Sequence, residues 1–436
     1  MLRRAFLLSS ISVALAGCVE YGGYSSGPGA GYGSNGGYGA NAGYGAPIGL
    51  GEPGAPGQPP PQEAPRGGVV AILLPLTGTY AAIGQPMLQA AQLAFAAPGS
   101  PQLDAKDTGG TPEGAAMAAR AAVAENAGII LGPLTSAETA AVAPIARAAN
   151  INVLAFTNDP AQAQPGVWTL GITPGEQVRR LVAAAQAQGR TQFAALLPNS
   201  DFGRAMGQAL SQVATAAGLP PPDIRFHEPG MAAINPAVRD LSGYATRRAP
   251  IDAQIKAARA LNTAAGRQQA LELAKTPIPP PPFTALLLAD AGDSLAEIAA
   301  LLPYYDVDRS SVQVMGPSLW TSPASEASRM IDAWYAAPDP AARAGLVQGY
   351  TGKYGSAPPS VADLAFDAAS IARVLGTGEG YSVSALTQPA GYLGTDGWLA
   401  LLPTGQVRRG LAVFRIESGG PQIVEPAPQS SNGSGS

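Results

Sequence analysis

Side chains suited to nucleophilic, acid–base or metal chemistry are scarce in this sequence. Its 436 residues include a single Cys, Cys18, and a single His, His227. Zinc sites are built from several Cys or His ligands, so neither a structural nor a catalytic zinc site can be assembled. A Cys–His or Ser–His–Asp mechanism would depend on His227, which we interpret as a surface or strand-end histidine. We therefore predict a protein without enzymatic activity, metal or cofactor.

Two acidic residues, Asp290 and Asp293, follow an apolar segment that is predicted to be a strand. They fall short of a glycosidase pair, because the carboxylates of such a pair must flank a substrate at a set separation. Ser294 and Glu297 have the spacing of a helix capping box, so a helix is expected to begin there. Asp290 is predicted to face a ligand cleft without a catalytic role.

A second candidate site is the segment Gly132-Pro133-Leu134-Thr135-Ser136-Ala137-Glu138, between a predicted strand and a predicted helix. Hydroxyls and free backbone N–H groups at a helix N-terminus form a natural anion site. Thr135 and Glu138 also have capping-box spacing, which by itself only stabilises the helix. The residue types leave both interpretations open, a cap alone or a contact with a ligand.

The N-terminus resembles a bacterial lipoprotein signal. Basic residues precede an apolar stretch, residues 5–16, that is too short to span a bilayer and suits a signal peptide. It ends in Leu15-Ala16-Gly17-Cys18, which is similar to a lipobox; the alternative is a free thiol after an ordinary signal. The resemblance implies cleavage of residues 1–17 and a lipid anchor on Cys18. Val19 in place of Asp implies the outer membrane, with the protein facing the periplasm.

Composition divides the rest of the chain into a tether, a folded part and a tail. Residues 18–66 are rich in Gly, Pro and Tyr, and such a segment cannot bury enough apolar area to offset its ordering entropy. We interpret them as a disordered tether and residues 426–436 as a flexible tail. The net charge of −4 argues against a nucleic-acid partner, which would need a basic face.

The folded part, residues 67–425, alternates short apolar runs with amphipathic segments of helical period. The predicted strands are residues 69–74, 128–131, 153–156, 193–197, 283–289 and 312–315. Residues 361–375 give the clearest helix, with apolar positions on one stripe. This alternation predicts an α/β fold with parallel sheets flanked by helices. The length exceeds one such sheet, so two lobes with an inter-lobe cleft as the default ligand site are expected.

Residues 243–282 interrupt this pattern. Residues 251–275 are Ala-rich and predicted to be helical, and Pro279-Pro280-Pro281-Pro282 follows them. We interpret the segment as an inserted arm in the second lobe, either a binding appendage or an inert decoration.

The segment Val70-Ala71-Ile72-Leu73-Leu74-Pro75-Leu76-Thr77-Gly78 is similar to the opening of type I periplasmic binding proteins of the leucine/isoleucine/valine class. Gly132-Pro133 and Val153-Leu154-Ala155-Phe156-Thr157 continue this resemblance. It implies the two-lobed type I periplasmic-binding-protein fold. The first lobe would comprise residues 67–171 and about 318–390, and the second residues 172–317 and about 391–425.

The resemblance also implies ligand contacts. In amino-acid-binding relatives a first-lobe Ser holds the ligand carboxylate and would fall on Ser136, and a backbone and Thr pair would fall on Ala155 and Thr157. A second-lobe acid holds the ligand amine after a Gly-Pro pair, but Gly316-Pro317 is followed by Ser318. A buried ammonium without a partner is costly, which argues against amino-acid binding unless Asp290 substitutes. The candidate cleft residues are Thr77, Thr135, Ser136, Ala155, Thr157, Asp290 and Ser318.

A narrower resemblance rests on residues 287–293, on Leu301-Leu302-Pro303-Tyr304-Tyr305-Asp306 and on Gly316-Pro317-Ser318-Leu319-Trp320. These segments are similar to the penicillin-binding-protein activator lipoproteins. That similarity implies a non-enzymatic outer-membrane lipoprotein that binds and activates a bifunctional penicillin-binding protein in peptidoglycan synthesis. The alternative is a periplasmic solute-binding protein of an ABC transporter for amino acids or amides.

Overall fold

The computed structural model describes residues 68–430. The predicted signal peptide, Cys18, the whole of the predicted tether and the last six residues lie outside the described residues. Within residues 68–430, none of the helices has both the length and the apolar character needed to cross a bilayer.

The strands of the described region form three sheets. In chain order they are β1 (Val69–Leu74), β2 (Gln102–Asp107), β3 (Ile129–Leu131), β4 (Asn152–Ala155), β5 (Val167–Thr169), β6 (Phe193–Pro198), β7 (Asp223–His227), β8 (Ala285–Leu288), β9 (Gln313–Gly316), β10 (Trp334–Ala337), β11 (Tyr392–Gly394), β12 (Gly397–Leu401), β13 (Val407–Arg409), β14 (Ala412–Glu417) and β15 (Gly420–Glu425). The sheet orders are β2-β1-β3-β4-β5, β15-β14-β10-β9-β8-β6-β7 and β11-β12-β13. All six strands expected from apolar runs are present, with ends shifted by up to two residues.

The α-helices of the described region lie mainly between these strands. They are α1 (Ala81–Ala94), α2 (Pro112–Ala124), α3 (Ser136–Ala148), α4 (Pro174–Ala187), α5 (Asp201–Ala216), α6 (Met231–Leu241), α7 (Tyr244–Ala260), α8 (Ala264–Ala274), α9 (Gly292–Tyr304), α10 (Ala344–Tyr354), α11 (Ala362–Gly376) and α12 (Val383–Leu386). The predicted helix over residues 361–375 is α11, one residue later.

The first lobe is built around β1, whose residues after Val69 are all buried. Its sheet is parallel, and a parallel strand covered on both faces needs a continuous apolar sequence. Helices α1 and α11 cover one face and helices α2 and α3 cover the other. Strands β12 and β13 add Leu399, Leu401 and Val407 to the core beneath α11. This small sheet therefore belongs to the first lobe.

The second lobe is built around β6, β8, β9 and β10, which are mutually parallel. Strands β14 and β15 extend this sheet in antiparallel sense. One face packs against α6 and α9 through residues such as Ile234 and Ile298. The other face packs against α4 and α5 through residues such as Leu181 and Leu210. The predicted α/β architecture of two parallel sheets flanked by helices is confirmed.

Three boundaries expected from the sequence differ from the structure. Residues 318–337 belong to the second lobe rather than the first, because β10 pairs with β9 and β14. Residues 391–409 form β11–β13 and pack on the first core rather than the second. Residues 426–430 do not start a flexible tail, since Ala427 is buried in the second core. In each case a distant packing partner decides the assignment, and the local pattern does not show it.

The inserted arm is a helical hairpin of α7 and α8, broken at residues 261–263. It has a small apolar core of its own that includes Ile251, Ile255 and Ala270. Arg247 fixes its base: the guanidinium donates to the carbonyl oxygens of Pro279 at 2.7 Å, Asp306 at 3.2 Å and Tyr305 at 2.7 Å. The arm is therefore anchored to the second lobe at its base.

Replacement of Gly84 by Ala tests the packing of α1 beneath the first loop. A Cβ at this position would overlap the carbonyl oxygen of Pro75, which is backbone and cannot turn aside. We expect Gly84→Ala to lower the free energy of unfolding by about 1–3 kcal/mol, measured by urea denaturation. In the control Gly352→Ala, the new Cβ in α10 meets nothing within 4 Å. The control should match wild type or be more stable by up to about 1 kcal/mol, and equal destabilisation of both variants would contradict the argument.

Candidate functional site

The predicted cleft residues lie at the carboxyl ends of parallel strands in both lobes. In open α/β sheets, ligands bind in the crevice outside these strand ends. In the first lobe Thr77 follows β1, Thr135 and Ser136 follow β3, Ala155 ends β4 and Thr157 lies just beyond it; in the second lobe Asp290 follows β8 and Ser318 follows β9. The topology thus places the set at two sheet edges, one in each lobe.

Thr135 is the N-cap of α3 in a complete capping box. Its hydroxyl donates to Glu138 Oε2 at 2.8 Å, and its backbone N–H donates to the same oxygen at 2.9 Å. Glu138 is fully buried, and its other oxygen accepts the Thr108 hydroxyl at 2.5 Å. Of the two interpretations left open by the sequence, the structure shows the cap, and it commits the Thr135 hydroxyl to Glu138.

Ser136 and Thr157 meet at Asp159, which the sequence analysis did not single out. The Ser136 hydroxyl donates to Asp159 Oδ2 at 2.5 Å, and the Asp159 backbone N–H donates to Thr157 Oγ1 at 3.1 Å. The carbonyl oxygen of Ala155 accepts the Leu170 N–H at 2.7 Å, so its acceptor is engaged in the sheet. The serine expected to hold a ligand carboxylate therefore holds a carboxylate of this chain.

Thr77 is exposed and makes a separate contact, with Asp107 at the end of β2. Its hydroxyl donates to Asp107 Oδ2 at 2.6 Å, while the backbone N–H groups of Leu76 and Gly109 both donate to Oδ1 at 2.8 Å. Burial opposes ionisation of Asp107, but these hydrogen bonds outweigh it and hold its pKa below the ordinary value.

The first-lobe edge is consequently acidic. The hydroxyls of Thr77, Thr135 and Ser136 donate to the carboxylates of Asp107, Glu138 and Asp159 respectively. The hydrogen bonds described for these three acids come from hydroxyls, backbone N–H groups and one amide side chain, not from a cation. A ligand carboxylate entering this edge would find these three hydroxyls already donating to carboxyl groups of this chain.

Asp290 is buried and paired with His227, so its carboxylate is not free to hold a ligand amine. His227 Nε2 lies 3.2 Å from Asp290 Oδ2, and Nδ1 lies 3.0 Å from the carbonyl oxygen of Glu228. Trp320 Nε1 donates to the Asp290 carbonyl oxygen at 2.9 Å. His227 does end strand β7, as expected, but it is 4% exposed rather than a surface residue.

The expected helix start at Ser294 was wrong, because α9 begins at Gly292.

The pKa of His227 is raised above its ordinary value. Burial opposes protonation of the imidazole, and the hydrogen bonds to Asp290 and to the Glu228 carbonyl, with the charges of both acids, outweigh that cost. The pair therefore favours a protonated, charge-assisted contact between β7 and the end of β8.

Ser318 is held by its backbone rather than by its hydroxyl. Its N–H donates to Gln177 Oε1 at 2.7 Å, and Gln177 is a buried residue of α4. The Gln177 amide in turn donates to the carbonyl oxygen of Thr173 at 3.3 Å. These bonds fix the loop after β9 to the start of α4 within the second lobe.

Three residues that fix these edges could not be recognised from the sequence: Asp107, Asp159 and Gln177. Asp107 ends a strand of sequence QLDAKD, which has no apolar run to reveal it. Asp159 precedes Pro160, and an Asp-Pro pair after a strand is a turn signal that could have identified it. Gln177 bonds a residue 141 positions away, and nothing in its own helix indicates this contact.

Buried charged side chains lie where the chain passes between the two lobes. The Arg409 guanidinium donates to the carbonyl oxygen of Leu170, and its Nη1 lies 3.7 Å from Asp396 Oδ2. Burial raises the pKa of Asp396 and of Glu176, although the charge of Arg409 opposes both shifts. The bond from Arg409 to Leu170 ties β13 to the end of the segment after β5, where the chain leaves the first lobe, and Glu176 and Asp396 are also buried.

The chain belongs to the periplasmic binding protein family, whose sequence pattern it matches over residues 69–420. An uncharacterized protein of Rickettsia prowazekii (strain Madrid E) is 27% identical over 177 residues, which are 40% of this chain and 47% of the relative. The match thus spans about half the length of that curated relative.

Solved structures show the same fold. A protein from Rhodospirillum rubrum, proposed to belong to a branched-chain amino acid ABC transporter, aligns with a TM-score of 0.62 at 21% identity, covering 82% of this chain and 99% of that one. The C-domain of LpoA from Haemophilus influenzae, a regulator of PBP1A, aligns with a TM-score of 0.58 at 15% identity, covering 82% and 99%. Both likenesses establish the type I periplasmic-binding-protein fold with its two lobes.

Replacement of Asp290 by Asn tests the His227 pair. The folded-state pKa of His227 lies above 6.5. The contact with Asp290 therefore contributes fully to the free energy of unfolding below pH 6.5, and this contribution is lost as the pH rises through the folded-state pKa. We expect Asp290→Asn to reduce the free energy of unfolding by about 1.5–3 kcal/mol at acidic pH and by clearly less at alkaline pH. Urea denaturation at both ends of this range measures the difference.

The control for this prediction is Asp293→Asn, which removes an exposed carboxylate from the same helix start. Its effect should not depend on pH across the titration range of histidine. A cost of Asp290→Asn that is the same at acidic and alkaline pH would show that the charge of His227 contributes nothing.

Proposed function

We propose that this protein is a non-enzymatic lipoprotein of the outer membrane that binds and activates a bifunctional penicillin-binding protein in peptidoglycan synthesis. It would be anchored by a lipid on Cys18 and would face the periplasm, with residues 18–66 as a tether. Activation would occur by contact: docking favours an active conformation of the partner, to the extent that the protein binds that conformation more tightly.

The observation that carries the proposal is the state of the first-lobe cleft edge. The hydroxyl of Ser136 is bonded to Asp159, and the neighbouring Thr135 hydroxyl is bonded to Glu138. An amino-acid receptor needs donors for the ligand carboxylate here and an acid for the ligand amine in the other lobe. Asp290, the candidate for the second role, is paired with His227. The two-lobed fold is retained, but the groups that would recognise an amino acid are committed to one another.

The arm supplies a surface suited to a protein partner. It extends from the second lobe, and two of its apolar side chains are well exposed: Leu261, at the turn between the helices, is 61% exposed, and Leu271, on α8, is 57% exposed. Arg247 holds the base of the arm through three carbonyl oxygens, so the hairpin is presented in a fixed orientation. Apolar side chains on a pre-organised element favour association because less conformational entropy is lost on binding. The likeness in fold to the LpoA C-domain, a regulator of PBP1A, agrees with this role.

Crosslinking in cells tests the proposal. The full chain would be crosslinked, purified and its partners identified by mass spectrometry, with expected recovery of a bifunctional penicillin-binding protein. The double variant Leu261→Asp, Leu271→Asp should reduce that recovery at least about tenfold, which corresponds to a loss of about 1.4 kcal/mol. The matched control is Met117→Asp, at a residue of the first lobe that is 65% exposed, and it should bind as wild type does.

Activation is measured separately, as the rate of glycan-chain synthesis by the purified partner with and without this protein. The proposal requires stimulation by wild type and by Met117→Asp and its loss in the double variant. Recovery of an inner-membrane permease in place of the synthase, or binding without stimulation, would overturn it.

The alternative, a solute-binding protein for amino acids or amides, makes the opposite prediction for small ligands. Because Asp107, Glu138 and Asp159 already occupy the hydroxyls of the first-lobe edge, we expect no saturable binding of leucine, isoleucine, valine or their amides. Isothermal titration calorimetry measures this directly. A dissociation constant in the micromolar range, equivalent to about −8 kcal/mol, would favour the transport receptor instead.

A further inference from the structure

A cavity of about 460 Å³ opens in the first lobe, away from the candidate cleft residues. It lies between the start of α10, the outer face of α11 and the strands β11 and β12. Its walls are mainly apolar and include Leu346, Phe366, Ile371, Val374 and Leu393. None of the seven candidate cleft residues lines it. The cavity is therefore a separate site rather than an extension of the cleft.

Asp367 of α11 is the one acidic residue among those that line this cavity, and it is 3% exposed. Its Oδ1 accepts the backbone N–H of Thr395 at 2.7 Å and the Thr395 hydroxyl at 2.9 Å. Its Oδ2 has no hydrogen-bond partner among the described residues. Gly394, also at the cavity, leaves room for this carboxylate, because a Cβ at position 394 would collide with it.

In the part of the chain that the structure describes, no cation donates a hydrogen bond to Asp367. Arg343 forms an ion pair with Asp363 at 2.7 Å, and Arg409 lies 3.7 Å from Asp396. Of these two cations, only Arg409 favours ionisation of Asp367, through its longer-range charge. A buried carboxylate with an unsatisfied oxygen is costly, so the site is poised to gain from a donor that carries positive charge.

Burial, together with the charge of Asp396, raises the pKa of Asp367 to about 6, against the opposing effects of the Thr395 hydrogen bonds and of Arg409. The carboxyl is therefore mostly ionised at neutral pH and becomes protonated as the pH falls below about 6. A positively charged ligand would be held by the ionised form.

We propose that this cavity binds a small molecule with an apolar body and one protonated amine, the amine donating to Asp367 and the apolar body lying against Phe366, Ile371 and Val374. Apolar walls with a single charged group select a cation by charge and shape together. This inference is independent of the proposed activator function and assigns the first lobe a ligand of its own.

Paired probes test the proposal on the full chain. The probes are 2-phenylethylamine and 2-phenylethanol, which are similar in shape and differ in charge, and binding is measured by ligand-detected NMR at pH 7.5. We expect the amine to bind at least about tenfold more tightly than the alcohol. In Asp367→Asn, which keeps an oxygen for Thr395 and removes the charge, the two affinities should become equal. At pH 5 the preference of the wild type for the amine should shrink in the same way.

Two further variants keep the test decisive. Glu379→Gln removes an exposed charge close to Tyr392, a cavity residue, and should leave both affinities unchanged. Ser370→Trp should fill the cavity and abolish binding of both probes. This variant tests whether the probes bind in the cavity even if Asp367→Asn fails to fold. Failure of the wild type to bind the amine, equal binding of the two probes, or a preference that survives both cavity variants would each overturn the proposal.

Discussion

The structure depends on burying two parallel sheets on both faces. Strand β1 and strands β6 and β8 are apolar along nearly their whole length, and each needs helices on both sides to exclude water from them. That requirement separates the folded region into two lobes, each with paired cores on either side of its sheet. It also places the loops after the strands at the carboxyl edges, where a ligand or partner would be met. The cleft residues owe their positions to this arrangement rather than to their own chemistry.

At those edges the side chains predicted to contact a ligand are bonded to other groups of this chain. The hydroxyl of Ser136, which the family resemblance led us to expect on a ligand carboxylate, donates to Asp159, and the hydroxyl of its neighbour Thr135 donates to Glu138. In the other lobe Asp290 is bonded to His227 and its loop is fixed by Trp320. Satisfied buried polar groups stabilise each lobe and reduce the affinity that the same groups could offer a solute. In the proposed function the two lobes serve as a scaffold, and the arm and the first-lobe cavity are the surfaces that bind.

The elements predicted correctly and those missed differ in a physical way. Residues 69–74 and 193–197 are continuous apolar runs between turn signals, so burial on both faces is visible in the sequence itself. Strand β2 carries alternating charges, and β7 is half exposed at the edge of its sheet, so neither shows an apolar run. Strand β10 has an apolar sequence, but its sheet is decided by pairing with β9 and with β14, which lies far along the chain. The capping box at Thr135 was visible from spacing alone, because a helix cap is a local interaction.

By itself, the sequence determined the α/β class, the two-lobed architecture, the inserted helical arm and the scarcity of catalytic side chains, since all of these follow from composition and local periodicity. Only the tertiary structure decided which groups meet. His227 and Asp290 are 63 residues apart, Asp367 and Thr395 are 28 apart, and Arg409 reaches the Leu170 carbonyl across 239 residues. Each contact joins residues from different parts of the fold, and neither partner has a periodic or local signal of the other. Pairing between distant polar groups is set by how the sheets and helices pack, which is why the candidate residues could be named from the sequence while their bonding partners could not.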